Sequence, residues 1–111
     1  MKTMITGINI VKYKKWEIWF AKVKFEDSDE IKKRPVLILG EKNGFILSLK
    51  ITTHTSRDSS DYALKYWAKA GLEKESVVMT SRVLLLNDDD LIRCFGRISE
   101  YDMLQIQNIM S

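Results

Sequence analysis

Two apolar stretches joined by Lys42-Asn43-Gly44 constrain the fold of this chain more than any other feature. Pro35 to Leu39 reads Pro-Val-Leu-Ile-Leu, a run of strand formers bounded by Arg34 and Gly40, the pattern of a strand buried on both faces. Phe45 to His54 alternates instead. Leu47, Leu49 and Ile51 fall on one face, and Ser48, Lys50, Thr52 and His54 on the other, as in a half-buried strand. The turn between them decides which residues meet. A two-residue Asn43-Gly44 turn would pair Lys42 with Phe45 and, counting back, set Arg34 against Thr53, so that the apolar faces disagree. A three-residue loop with Gly44 in the left-handed region pairs Glu41 with Phe45 and Leu37 with Leu49, which keeps the apolar faces together and sets Arg34 opposite Thr52. The expectation is that the Arg34 and Thr52 side chains share a face.

Other short strands surround this hairpin. Trp16 to Phe25 changes phase, with Trp16, Ile18 and Phe20 on one side and Ala21, Val23 and Phe25 on the other, which predicts a bulge or sharp bend near Phe20. Tyr62 to Tyr66, Ser76 to Ser81, Val83 to Leu86 and Leu91 to Ile98 read as strands, Trp67 to Ala70 as a helical turn stopped by Gly71, and Asn87 to Asp90 as an acidic turn. Ser99 and Asp102 open one helix in the manner of a capping box, although Asp stands where Glu fits better, and Met103, Ile106, Ile109 and Met110 recur at helical spacing. The fold class is mainly β (α+β), a small antiparallel β-barrel closed by one C-terminal helix. Residues 16–111 form the barrel domain. Residues 1–15 form an N-terminal arm, in which Ile8 and Ile10 suit an edge strand while Gly7 and the lysines suit a mobile segment.

A chain of 111 residues carries one core without disulfides or metals, and its single cysteine, Cys94, reads as a small buried hydrophobe in a cytoplasmic protein. The N-terminus has neither a signal-peptide core nor a membrane span. No Cys/His metal spacing is present, and the acidic runs of Glu26 to Glu30 and Asp88 to Asp90 lack a calcium-loop pattern, so neither metal nor cofactor is expected. The formal charge of +3 permits an anionic partner without requiring one.

The polar face of the second hairpin strand carries the chemistry. Arg34 is a permanent cation suited to phosphate, Thr52 can hydrogen-bond a phosphate oxygen, and His54, the only histidine, is either a surface residue or a proton carrier near neutral pH. These are the parts of metal-free RNA cleavage, in which a 2′-hydroxyl attacks the adjacent phosphorus. The site then needs a base, a cation for the phosphorane and a proton source for the leaving oxygen. Lys33, Lys50, Thr53, Ser56 and Arg57 surround this face as substrate-binding candidates. The charged run Glu26 to Lys33 is either a solvated turn or a flap carrying an acid toward Arg34.

Trp16-Glu17-Ile18-Trp19, Lys33-Arg34-Pro35-Val36-Leu37-Ile38-Leu39 and Lys50-Ile51-Thr52-Thr53-His54 occur in the order seen in the MazF/PemK toxins of type II toxin–antitoxin systems, and the chain resembles that family. Ala70-Gly71-Leu72-Glu73-Lys74-Glu75-Ser76-Val77-Val78 and Gly96-Arg97-Ile98-Ser99 extend the resemblance toward the C-terminus. It implies an SH3-like barrel, a homodimer, and metal-independent cleavage of single-stranded mRNA that leaves a cyclic phosphate and a 5′-hydroxyl. It also implies a cognate antitoxin that blocks the RNA groove. The family's active-site arginine maps to Arg34, its strand-end threonine to Thr52, and the flap acid of some members to Asp29. The alternative is a protein-binding toxin on the same barrel, of the gyrase-poisoning CcdB type.

Overall fold

The computed structural model describes residues 12–24, 29–53 and 59–111. Six strands, β1 (Glu17–Lys24), β2 (Ile31–Lys42), β3 (Phe45–Thr52), β4 (Asp61–Ala63), β5 (Val77–Leu86) and β6 (Leu91–Arg97), precede one helix, α1 (Glu100–Met110). The strands form one antiparallel sheet in the order β4-β5-β3-β2-β1-β6. The sheet is mainly β with one C-terminal helix, as expected, but it is not closed into a barrel: among the described residues β4 and β6 remain its edges. No described helix is long and apolar enough to cross a membrane.

Both faces of the sheet are covered. On one, Ile18, Leu37, Leu49, Ile51 and Val78 pack with Leu64 and Ala70 and with Met103 and Ile106 of α1; on the other, Trp19, Ala21, Val23, Val36, Ile38 and Ile46 pack with Leu86 and Leu91. β2 lies between the two cores, and Val36, Leu37 and Ile38 are each 0% exposed. This two-sided burial also explains the phase change in β1. Ile18 and Trp19 enter opposite cores, and β1 runs unbroken along β2 from Ile18↔Leu37 to Lys24↔Ile31. The expected bulge near Phe20 lies in the neighbouring strand: β6 carries the surplus residues, at Phe95 and Ile92. The two strands expected at Ser76 to Ser81 and Val83 to Leu86 are one, β5, with Thr80 to Arg82 as surplus residues between the pairs Met79↔Lys50 and Val83↔Leu49.

The hairpin turn is tighter than expected. Lys42 pairs with Phe45 across a two-residue turn, with Asn43 at φ 53° and Gly44 at φ 85°, both in the left-handed region that such a turn requires. A bulge at Leu39, between Ile38↔Ser48 and Gly40↔Leu47, then restores Leu37↔Leu49. Cys94 is exposed and not the buried hydrophobe expected of it. Partial desolvation and the nearby Glu17 carboxylate push its thiol pKa up, away from thiolate reactivity.

Asp102 ties the helix to the segment after β4. Its backbone N–H donates to the Ser99 side chain at 3.1 Å, which caps α1. Its fully buried carboxylate accepts from the Tyr62 hydroxyl, from the backbone N–H groups of Lys65 (3.0 Å) and Tyr66 (3.1 Å), and from the Ser99 hydroxyl (3.1 Å). Asp therefore serves where Glu was expected because its carboxylate is committed to this tertiary contact. A second tie is steric. A Cβ on Gly71, at φ +94°, would stand 2.2 Å from the Phe95 carbonyl oxygen, and one on Gly96 would stand 2.6 Å from that of Ala70. The two glycine segments thus meet backbone to backbone.

Asp102→Ala strands several buried donors and is expected to cost about 3 kcal/mol or more, read by urea unfolding. Gly71→Ala forces both a left-handed Ala and a displaced β6, at an expected cost of about 2 kcal/mol or more in the same assay. Burial, and next the bond to Asp102, raise the Tyr62 phenol pKa well above its ordinary 10.0. The resulting stability is present below pH 10.0 and is lost as pH rises toward the folded-state value. Unfolding measured in alkali should therefore show a steeper decline for the wild type than for Tyr62→Phe.

Candidate active site

The β2–β3 ladder brings three polar side chains to one face. Val36 and Lys50 are direct partners, so they share a face, and Arg34 and Thr52 each lie two residues farther along the same two strands. Arg34 is also the direct partner of Ala21 on β1, and Thr52 that of Val77 on β5. Arg34, Lys50 and Thr52 are all half-buried, and Arg34 Nη1 donates to the Lys33 carbonyl at 2.8 Å. A guanidinium, an ammonium and a hydroxyl on one surface, held by strands on either side, suit a phosphodiester: two cations for its charge and a donor for an oxygen.

The other candidates are dispersed. Lys33 projects from the opposite face, where its direct partner is Lys22. Thr53 is exposed just past the end of β3 and lines a cavity with Phe20 and Pro35. Asp29 is exposed and forms an ion pair with Lys24 at 3.6 Å, across the mouth of the β1–β2 connection. His54, Ser56 and Arg57 lie outside the described residues. Trp19 is buried, and Trp67 is half-buried against the α1-side core.

The profile of the PemK-like, MazF-like toxins of type II toxin–antitoxin systems matches residues 14–110. The chain belongs to that toxin family. Solved structures share its fold. A mycobacterial endoribonuclease superposes with a TM-score of 0.71 at 13% identity, covering 92% of this chain and 90% of its own. The Mycobacterium tuberculosis toxin MazF-mt6 gives 0.67 at 22% identity, covering 85% and 91% respectively. A mycobacterial endoribonuclease in complex with its cognate antitoxin gives 0.65 at 14%, covering 86% and 88%. No curated protein sequence matches the chain.

In this PemK/MazF-like chain the short motifs of the resemblance occupy connected places. The Arg34 and Thr52 motifs are adjacent strands, and the Gly71 and Gly96 motifs are the two segments in backbone contact. Sequence reasoning missed the cavity beside Thr53, whose walls include Lys74, Arg93 and Phe95. Phe20 and Arg93 are direct partners on β1 and β6, which only knowledge of that non-local pairing supplies. The bulge carries the site's register. Deleting Leu39 forces β2 to slide by one residue against β1 or β3, so the deletion should lower the urea midpoint far more than Leu39→Ala does.

Proposed function

We propose that this toxin is an endoribonuclease that cuts single-stranded RNA, with mRNA as the target class, at a short sequence and without a metal ion. The observation that carries the reading is the shared face of Arg34 and Thr52, together with family membership and a mycobacterial endoribonuclease of the same fold. In the proposed reaction the 2′-oxygen bonds to the adjacent phosphorus while the bond from phosphorus to the 5′-oxygen breaks. The 2′-hydroxyl proton passes to a base and a proton reaches the leaving 5′-oxygen, which gives a cyclic phosphate and a 5′-hydroxyl. Arg34 stabilises the charge that grows on the phosphorane, and Thr52 positions a non-bridging oxygen. His54 is the proton carrier. Lys50, Lys33, Thr53, Ser56 and Arg57 contact the flanking backbone, and Asp29 acts from the β1–β2 connection when the RNA is bound.

The structure of a relative in complex with its cognate antitoxin supports an antitoxin as the regulatory partner of this chain as well. A homodimer in the cytoplasm completes the proposal.

Purified protein and an Arg34→Ala variant, incubated with a long single-stranded RNA in EDTA, provide the test when the 5′-hydroxyl ends are sequenced. The wild type should give discrete cuts, and the variant should cut roughly 10²- to 10³-fold more slowly. Intact RNA with the wild-type protein would overturn the reading in favour of a protein-directed toxin.

A further inference from the structure

The face of the sheet opposite Arg34 and Thr52 holds a second feature, of which the chemistry above uses only Lys33 and Thr53 at its border. A cavity of about 420 Å³ opens there, with Phe20 and Pro35 on its floor, Phe95, Arg93 and Lys74 around it, and Thr53 at the end nearest the candidate site. Its volume falls within the range of pockets that take small organic ligands, roughly 300–1,000 Å³. The rings of Phe20 and Phe95 meet edge to face at 5.7 Å, and the Arg93 guanidinium lies over Phe95 at 4.6 Å. Flat apolar surface beside a stacked guanidinium is what a nucleobase stacks on.

The charge around the cavity supports the same ligand. Phe20 pairs directly with Pro35 on β2 and with Arg93 on β6, so all three share this face. Two residues farther on, Lys22 and Lys33 are also direct partners on this face, two exposed cations set opposite each other. Like charges in that position destabilise a sheet unless an anion lies between them. Lys74 and Arg93 thus line the cavity beside its aromatic rings, Lys22 and Lys33 continue the same face of the sheet beyond it, and Glu73 is the one carboxylate on the cavity wall. The backbone of Gly71 against Phe95 and of Gly96 against Ala70 fixes this wall to β6, so the cavity is a built part of the fold.

We infer that this cavity is a nucleotide subsite: it stacks one base of the single-stranded RNA on Phe20 and Phe95, with the adjoining phosphates held by Lys22, Lys33, Arg93 and Lys74. Thr52 and Thr53 are consecutive, and β3 ends between them. An RNA strand rounding that end passes from the Arg34 face to the cavity. The ligand's identity rests on the endoribonuclease reading; its place rests on the cavity's own geometry.

The test uses a fluorescent, 2′-O-methylated single-stranded RNA of mixed sequence, which cannot be cut because the attacking oxygen is blocked. Binding is read by anisotropy for the wild type, Arg93→Ala and Lys22→Glu. Each variant should bind roughly tenfold more weakly with a shallower salt dependence, and Lys22→Glu should also raise the urea midpoint by removing the like-charge pair. The backbone amides of Gly71, Leu72, Ser76 and Phe95 should shift on RNA addition in ¹⁵N spectra. Unchanged affinity in both variants, or RNA-induced shifts that leave those amides untouched, would overturn the subsite. Cleavage of unmodified RNA is scored alongside. A protein that cuts RNA but binds unchanged through these variants loses only the subsite, and one that binds through the cavity but never cuts loses only the nuclease reading.

Discussion

The placement of everything else depends on β2 being buried on both faces. Val36 and Ile38 belong to one core and Leu37 to the other, so a one-residue slip of this strand would exchange the side chains presented to each. A tight turn alone would impose the wrong register toward the far end of the hairpin. The extra residue at Leu39 corrects it, and the correction is what puts Arg34 and Thr52 on the same surface. The bulge thus connects local turn chemistry to the site, because the Asn43-Gly44 turn and the shared face of Arg34 and Thr52 are compatible only through it.

Two further contacts hold the rest of the chain to this strand pair. The Asp102 carboxylate gathers the start of α1, Tyr62 of β4 and the backbone at Lys65 and Tyr66 into one buried network. The Gly71 and Gly96 backbones approach closely enough to exclude any side chain, which fastens the next part of the same segment to β6. The α1-side core forms beneath these ties, and the cavity beside Thr53 opens at its margin.

The sequence was most legible where a pattern repeats locally. Continuous apolar residues from Pro35 to Leu39 and alternation from Phe45 onward were enough to find the central hairpin, its Leu37↔Leu49 register and the shared face of Arg34 and Thr52. The register arises from a two-residue turn and a bulge at Leu39 instead of a three-residue loop, and a bulge leaves no mark in a stretch where both faces are apolar. Surplus residues in β6, the continuity of β5 and the exposure of Cys94 depend on pairings between distant strands, and periodicity does not report those. For the same reason Lys33 reads in sequence as a neighbour of Arg34, whereas strand alternation sets it on the other face, against Lys22.

The two faces near one strand end therefore differ in character: Arg34, Lys50 and Thr52 share one, and a cavity with Phe20, Phe95, Arg93 and Lys74 in its walls opens on the other. On the proposed function, register alone makes Arg34 and Thr52 a single working unit. A double-mutant cycle on kcat/KM for RNA cleavage, with Arg34→Ala, Thr52→Ala and the double variant, decides whether they act as one. If both residues act on one phosphate, the double variant should be little worse than the poorer single variant. Losses that multiply in full would mean that the two residues act independently and do not share one phosphate.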